Sequence, residues 1–446
     1  MPSPQVKWLR DVIPSTYSSE LTVLREIKVA RTPSSSICLA CRGGRMLCGK
    51  ISCPLIAKAQ SLARSSLRIT SPHIQGSTPP GVFVGRVGYP KVYIGPMVPP
   101  FRGETEILDT PELWMGKGIQ DIIDYRFSLI RGKSLASIHD AQSGTRLLDS
   151  LQELALGKRP VDAEIVLSKV PKGVLTVGSD IQPFGPSAPL RSFNASDVAV
   201  DHRLENAFYD RDLKAAGAVI DLYDKGTLVT RIQRAFSLGM FGISKNRKLV
   251  PTRWSITAVD SILSQELINR IKQQDTIDEY RVYSFNNLDN RFVAILTPER
   301  WSFEWIEAWF PGTTWNPDEK SSAPAMMGDY ENYWGRNTYP DIGGCYYSCR
   351  LAIAEKLNQE GRQASALVLR EIHPGYILPV GVWFTRESVR LMISKNPAKF
   401  GSLQEALNYA FTKLTIPINK WKRASTLLRN MLTQTKLRDF MQLSIK

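Results

Sequence analysis

No stretch of the 446 residues approaches the roughly 18 uncharged apolar residues that a membrane-spanning helix needs, and the opening MPSPQVKWLRDVIPS sets no apolar run behind its charges. A membrane anchor and a secretory leader are therefore not expected, and the chain reads as soluble and cytoplasmic. Cysteine is sparse: six residues cannot staple a disulfide scaffold of this length. Also missing are the glycine spacings of P-loops and dinucleotide folds and the signatures of metalloproteases, kinases and serine hydrolases. No nucleotide cofactor follows from a motif. No internal repeat is visible.

What is present begins with apolar content and charge. Hydrophobic residues make up 43% of the chain and aromatics 9%, enough to fill sizeable cores and to exclude wholesale disorder. The length predicts roughly two or three domains at about 100–200 residues each. Basic residues number 57 against 42 acidic, a net of +15. Residues 1–70 hold 11 basic and 3 acidic side chains, and residues 386–446 hold 12 and 3. Nets of +8 and +9 at the two ends leave the middle at −2. Cationic ends predict a polyanionic partner.

Four of the cysteines crowd into CLACRGGRMLCGKISC as Cys38, Cys41, Cys48 and Cys53, with Gly43, Gly44 and Gly49 between them. Two thiolate pairs on short loops can close a tetrahedral zinc shell at about 2.3 Å per bond, and the glycines let amides turn toward the sulfurs. A closed four-sulfur shell is structural. Arg42, Arg45 and Lys50 share the loop and would make it a cationic platform for phosphates. Cys345 and Cys349 are four apart on an expected helix with no further ligand nearby, which suits small core residues.

LIAKAQSLAR reads as a helix. The Gly- and Pro-rich segment 70–103 alternates apolar residues as short strands joined by turns do. Residues 111–157 read as helical, VDAEIVLSK and GVLTVG as strands, and Arg203 to Gly226 as one helix, followed by another through Val229, Ile232 and Phe236. A basic loop runs into a helix that Thr257 would cap, with Asp260 in its first turn. YRVYSF and RFVAILT around NNLDN suggest a hairpin, WSFEWIEAW a short helix, and residues 311–344 a long functional loop. A helix from Cys345, strands ALVLREI and LPVGVWF, and three terminal helices complete the reading. The expected fold is α+β and multi-domain: a zinc module within residues 1–69, a mixed core over 70–295, a second α+β region over 296–432 with a helical C-terminus, and a tail over 433–446.

That tail, QTKLRDFMQLSIK, carries Gln434, Leu437, Phe440 and Met441. The spacing is that of a peptide that binds the PCNA sliding clamp, with Met441 in place of the second aromatic. Leu437 and Phe440, three apart on one helical turn, point into one apolar pocket, while Gln434 offers an amide to the clamp backbone.

Taken together, the four-cysteine block, FVGRVGYPKVYIGP, QPFGPSAPL, RKLVPTRWSITAVD, GDYENYWGRNTYPDIGGCYYSCR, LREIHPGYILPVGVW and the tail resemble the archaeal Nre family over nearly the whole chain. The resemblance implies an N-terminal zinc finger, two family-defining regions, and a role in DNA repair with PCNA as partner, beside DNA and other repair proteins at the nucleoid.

For chemistry, the candidates are Lys248, Arg253, Asp260, Tyr330, Glu331 and Arg336. A glycosylase or lyase needs aromatics to hold a flipped base, an amine and a carboxylate, for which Trp254, Tyr330, Trp334, Lys245 or Lys248, and Asp260 are the types. A nuclease would cluster carboxylates for metal, and Asp201, Asp210 and Asp212 come nearest to that. Against both stands a binding scaffold in which these residues form salt bridges and core, and a basic zinc-finger protein also suits RNA.

Overall fold

The computed structural model describes residues 50–176, 184–317 and 323–433, together with residues 28–30, 41, 45–48 and 321. Two compact units divide the chain, Met1–Glu266 with Ile377–Phe384, and Leu267–Tyr376 with Thr385–Lys446. Each sets helices against a mixed six-stranded sheet, the α+β organisation expected. Among the described residues no helix is long and apolar enough to cross a membrane.

The strands of the first unit are β1 (Lys28–Ala30), β2 (His73–Thr78), β3 (Val82–Val84), β4 (Lys91–Val98), β5 (Ile130–Ser137), β6 (Val161–Leu167), β7 (Val174–Thr176) and β8 (Ser187–Ala195). Six of them run in the order β2-β6-β8-β5-β4-β3, and β1 pairs with β7 as a separate ribbon. Ile74, Val98, Ile130, Ile165 and Leu167 gather into one core cluster. The helix Pro54–Leu67 takes Pro54 at its first position, where a missing N–H costs nothing, and buries Leu55, Ala59, Leu62 and Ala63.

Residues 111–157 are not helical throughout: β5 lies between the helices Ile119–Ser128 and Arg146–Leu156. Pairing with β4 on one side and β8 on the other holds it in the sheet. The single helix expected from Arg203 is two, His202–Tyr209 and Ala215–Asp224. Asp210 breaks it, because its carboxylate accepts the amides of Asp212 and Leu213 at 3.0 and 2.9 Å. The helix Thr252–Ile271 starts just after Pro251, five residues before the expected Thr257 cap. Asp260 thus falls in its middle.

In the second unit β9 (Tyr280–Asn287), β10 (Asn290–Thr297), β11 (Ser302–Trp309), β12 (Ala325–Glu331), β13 (Ser365–Ile372) and β14 (Ala398–Phe400) stand in the order β12-β11-β13-β10-β9-β14. The hairpin β9–β10 forms as expected, with Leu288 and Asp289 at φ +46° and +56°, the geometry of a tight two-residue turn. WSFEWIEAW, expected as a helix, is the strand β11, parallel to β13 and antiparallel to β12. Part of the expected long loop is β12. LPVGVWF is not a strand either: Pro379 lacks a ladder donor, Gly381 sits at φ +126°, and the helix Trp383–Ser394 begins there. Helices Leu403–Phe411, Ile418–Ala424 and Thr426–Thr433 pack Ala406, Leu407, Trp421 and Leu428 on Val282, Val293, Ile295, Leu367 and Leu369.

Candidate nucleic-acid interface

In the first unit the chain leaves β3 at Val84, turns through residues 85–90 and re-enters the sheet at β4. Gly85 N donates to Tyr93 O at 2.7 Å and Lys91 N to Gly88 O at 3.0 Å. Gly88 takes φ +89°, and a Cβ there would meet Lys91 O at 2.9 Å. Only glycine adopts that turn without strain.

A second segment is tied to this turn. Val84 N donates to Thr252 Oγ1 at 2.9 Å. Ile138 N donates to Pro90 O at 3.1 Å, Leu249 N to Ile138 O at 2.8 Å, and Val250 N to Ser237 O at 2.8 Å. Arg247 is buried and bridges Gly242 O and Asp210 O at 2.7 and 2.8 Å, which fixes the basic loop from within. The blocks VGRVGYPK and RKLVPTRW, distant in sequence, thus lie side by side.

Their outward side chains are aromatic and cationic. Tyr89 and Trp254 are 49% and 45% exposed, with ring centroids 5.2 Å apart and planes tilted by 54°. Arg86, Lys91, Lys248 and Arg253 are exposed on the same two segments. No acidic residue occurs in residues 85–91 or 244–254. Exposed rings offer faces for bases and the cations neutralise phosphates, the combination single-stranded and flipped nucleotides use. Arg86, Tyr89 and Lys91 were not singled out from the sequence. Their signal was local, a glycine-rich turn carrying two cations and an aromatic, but the surface it joins shows only in the bond from Val84 to Thr252, the bonds through Ile138 and the contact of Tyr89 with Trp254.

The other expected residues are placed as follows. Asp260 is fully buried and accepts from Gln233 Nε2 at 3.0 Å. Glu331 is buried and takes Arg350 Nη1 at 2.7 Å and Trp301 Nε1 at 3.0 Å. Arg336 pairs with Asp329 at 2.8 Å. Tyr330 is half-buried against the second unit's core, and burial raises its hydroxyl pKa. Asp201 is buried between Arg203 and Arg231, while Asp210 is spent on its own turn. Lys248 and Arg253 therefore reach solvent, whereas Asp260 and Glu331 are built into packed hydrogen-bond networks.

Of the expected zinc ligands, Cys38 lies outside the described residues, as does Arg42. Cys41 is buried and its sulfur accepts the amide of Leu47 at 3.4 Å. Cys53 precedes the helix Pro54–Leu67; burial raises its thiol, the Ile56 and Leu55 amides pull it down, and the Cys48 and Cys41 thiols stand near enough to act on it. Amide-to-sulfur bonds of this kind suit thiolates that hold a cation. Among the described residues no three metal-binding side chains form a complete cluster. Arg45 is exposed, but Lys50 is not the phosphate-facing residue expected: it is buried and donates to Ile377 O at 2.7 Å. Burial pushes its ammonium down to about 8 against the pull of Cys48 and Cys53. Gln434, Leu437, Phe440 and Met441 also lie outside the described residues.

The second unit has a cationic feature of its own. A cleft of about 480 Å³ is lined by Arg291, Lys395 and Lys413 with Ser284, Asn286, Thr412 and Phe285, and no carboxylate.

The chain belongs to the archaeal Nre family. It matches the family described as Archaeal Nre, N-terminal over residues 47–316 and that described as Archaeal Nre, C-terminal over residues 331–440. It is 42% identical over 396 residues to the DNA repair protein NreB of Archaeoglobus fulgidus, covering 88% of this chain and 97% of that protein. Identity to the DNA repair protein NreA of the same organism is 36% over 375 residues, covering 84% and 92% of the two chains. For NreA of Haloferax volcanii it is 35% over 377 residues, covering 82% and 89%. No solved structure matches the chain.

Proposed function

We propose that this protein binds DNA in the course of repair through the surface of Tyr89 and Trp254, and docks on the PCNA sliding clamp through Gln434, Leu437, Phe440 and Met441. The observation that carries the DNA-binding half is the exposed ring pair set among Arg86, Lys91, Lys248 and Arg253 with no acid on either segment. The names of its relatives supply the context, since all three are DNA repair proteins. The cationic cleft of the second unit supports the same reading. Cys38, Cys41, Cys48 and Cys53 would hold a structural zinc ion that pins the basic N-terminal segment, and Arg45 would face phosphate from it.

Fluorescence anisotropy with a gapped duplex tests the surface. Trp254→Ala is expected to weaken binding by about tenfold, the worth of one stacked base. Arg253→Gln should weaken it less and lower its salt dependence. An unchanged affinity in the double variant excludes this surface, and tighter binding to RNA at matched salt excludes DNA as its target. Lys245 and Lys248 are exposed amines here, so borohydride trapping on an abasic duplex tests whether lyase chemistry accompanies binding. An adduct that vanishes with Lys248→Gln assigns it.

A further inference from the structure

Among the described residues of the first unit, one buried carboxylate stands beside three arginines. Asp109, at the end of the 3-10 turn Glu106–Asp109, is buried beside Arg126 and Arg234. Arg234 reaches Asp109 Oδ2 at 2.8 Å and also bonds the Asp109 carbonyl. Arg126 is 3.5 Å from Oδ1, with its guanidinium 4.7 Å from the ring centre of Trp114. Arg131 on β5 is the third cation, close enough for Arg126 to act on it. Its guanidinium stands 5.2 Å from the ring centres of both Phe83 and Phe184. Among the described residues Arg131 has no ion pair and no side-chain hydrogen bond, and the Nε atoms of Arg126 and Arg131 are both buried without a partner.

Among the described residues, three guanidiniums thus stand near one carboxylate, and only two of them pair with it. The rings take up part of the Arg131 charge but accept neither Nε–H. Burying a cation without a counter-charge is costly, and a second guanidinium close by adds to that cost. Burial and the Arg126 charge push Arg131 down to about 10 against the pull of Asp109. A bound oxyanion would remove both defects, and a guanidinium presents its N–H groups in the fork that phosphate oxygens match. We infer that Arg126, Arg131 and Arg234, arranged around Asp109, form a binding site for a phosphate group. Half-buried Arg131 is its entrance, and the phosphate comes either from a free nucleotide or from a DNA strand. The site uses none of the side chains of the Tyr89 and Trp254 surface, so the two proposals fail separately.

Thermal unfolding of the full chain tests it, with inorganic pyrophosphate, ADP and a short DNA duplex as probes against chloride at matched ionic strength. Every duplex measurement is made in a Trp254→Ala, Arg253→Gln background, so that the Tyr89 and Trp254 surface adds no response of its own. At least one probe is expected to raise the melting temperature, since a ligand that binds only the native state stabilises it. Response to pyrophosphate or ADP assigns a free phosphate compound; response to the duplex alone assigns the DNA backbone. Arg131→Met should abolish that response and, without ligand, melt no lower than the wild type, because it removes a cation that has no ion pair among the described residues. Arg131→Lys should keep part of the response. Arg159→Gln, an exposed change elsewhere, should keep all of it. No response to any probe, a response that survives Arg131→Met, or one lost equally in Arg159→Gln overturns the assignment. So does a ligand-free Arg131→Met that melts well below the wild type, since Arg131 would then be an ordinary structural residue.

Discussion

A carboxylate taken out of water must be met by donors, and Asp201 and Glu371 both are. Asp201, 2% exposed, receives Arg203 Nη2 at 2.9 Å, Arg231 Nη1 at 2.8 Å and the Arg203 amide at 3.1 Å. Burial alone would raise its carboxyl, but Arg203 and Arg231 outweigh it and hold the pKa well below the ordinary 3.8. For Glu371 the opposing donors are His373 and the amides of Thr415 and Ile416, and the pKa again lies below its ordinary 4.5. A lowered native pKa gives stabilisation that is present above the unfolded value and is lost as pH falls through the native one. Urea unfolding is therefore expected to show a marked loss of stability from pH 5 downward. Asp201→Asn should cost about 3 kcal/mol at pH 7, because it leaves Arg231 without its charge partner, and should flatten the acid limb. A variant whose pH curve runs parallel to the wild type would remove this account. The sequence exposes such a carboxylate but hides what meets it: Arg231 is thirty residues from Asp201. That is why Asp201, Asp260 and Glu331 read as candidates for chemistry until their partners are seen.

Elements were legible where the residues at their ends mark them, as Pro54, the turn at Leu288 and Asp289, and Gly344 with Gly361 do. The helix before Leu67, the hairpin β9–β10 and the helix from Cys345 fall where the pattern puts them. β11 did not, because a central strand buried on both faces loses its alternation. Its Glu304 and Glu307, three apart, imitate the polar stripe of a helix. In fact they point to opposite sides of the sheet. Glu304 is held by Ser425 and the Thr426 and Leu427 amides, and Glu307 by Arg370 at 2.7 Å. The candidate DNA surface depends on an element just as local. Replacing Gly88 with alanine forces a Cβ into left-handed backbone at φ +89°, a cost of about 1–2 kcal/mol. Gly88→Ala is expected to lower thermal stability by that amount and to weaken DNA binding, since Tyr89 follows directly. Unchanged binding with a lowered melting temperature would leave the glycine a purely structural role and detach Tyr89 from recognition.

At the scale of the whole molecule the sequence announced charge placement more clearly than domain division. The chain division between the two units falls inside the helix Thr252–Ile271, where no turn or linker composition marks a boundary, and Ile377–Phe384 belongs to the first unit although its chain neighbours belong to the second. Contacts of that kind follow from packing, such as Trp383 standing edge-on to Trp114 at 5.0 Å, and leave no local trace. Charge, by contrast, is additive along the chain, so its excess at the ends could be counted directly. That additivity separates the two proposed partners. Each phosphate neutralised by a side chain contributes about 0.9 to the slope of log affinity against log salt on duplex DNA. A combined Arg86→Gln, Lys91→Gln and Arg253→Gln variant is therefore expected to bind DNA with a slope shallower by about 2–3, while still recovering PCNA in a pull-down. Deleting residues 434–446 removes Lys436, Arg438 and Lys446 but also Asp439. It should abolish the pull-down and leave the slope within about one unit of the wild type, because the proposed clamp docking would rest on Leu437 and Phe440 entering an apolar pocket. Were the deletion instead to flatten the salt dependence as much as the triple variant and spare the pull-down, the tail would be a DNA-binding arm. The clamp contact would then have to be sought on the folded units.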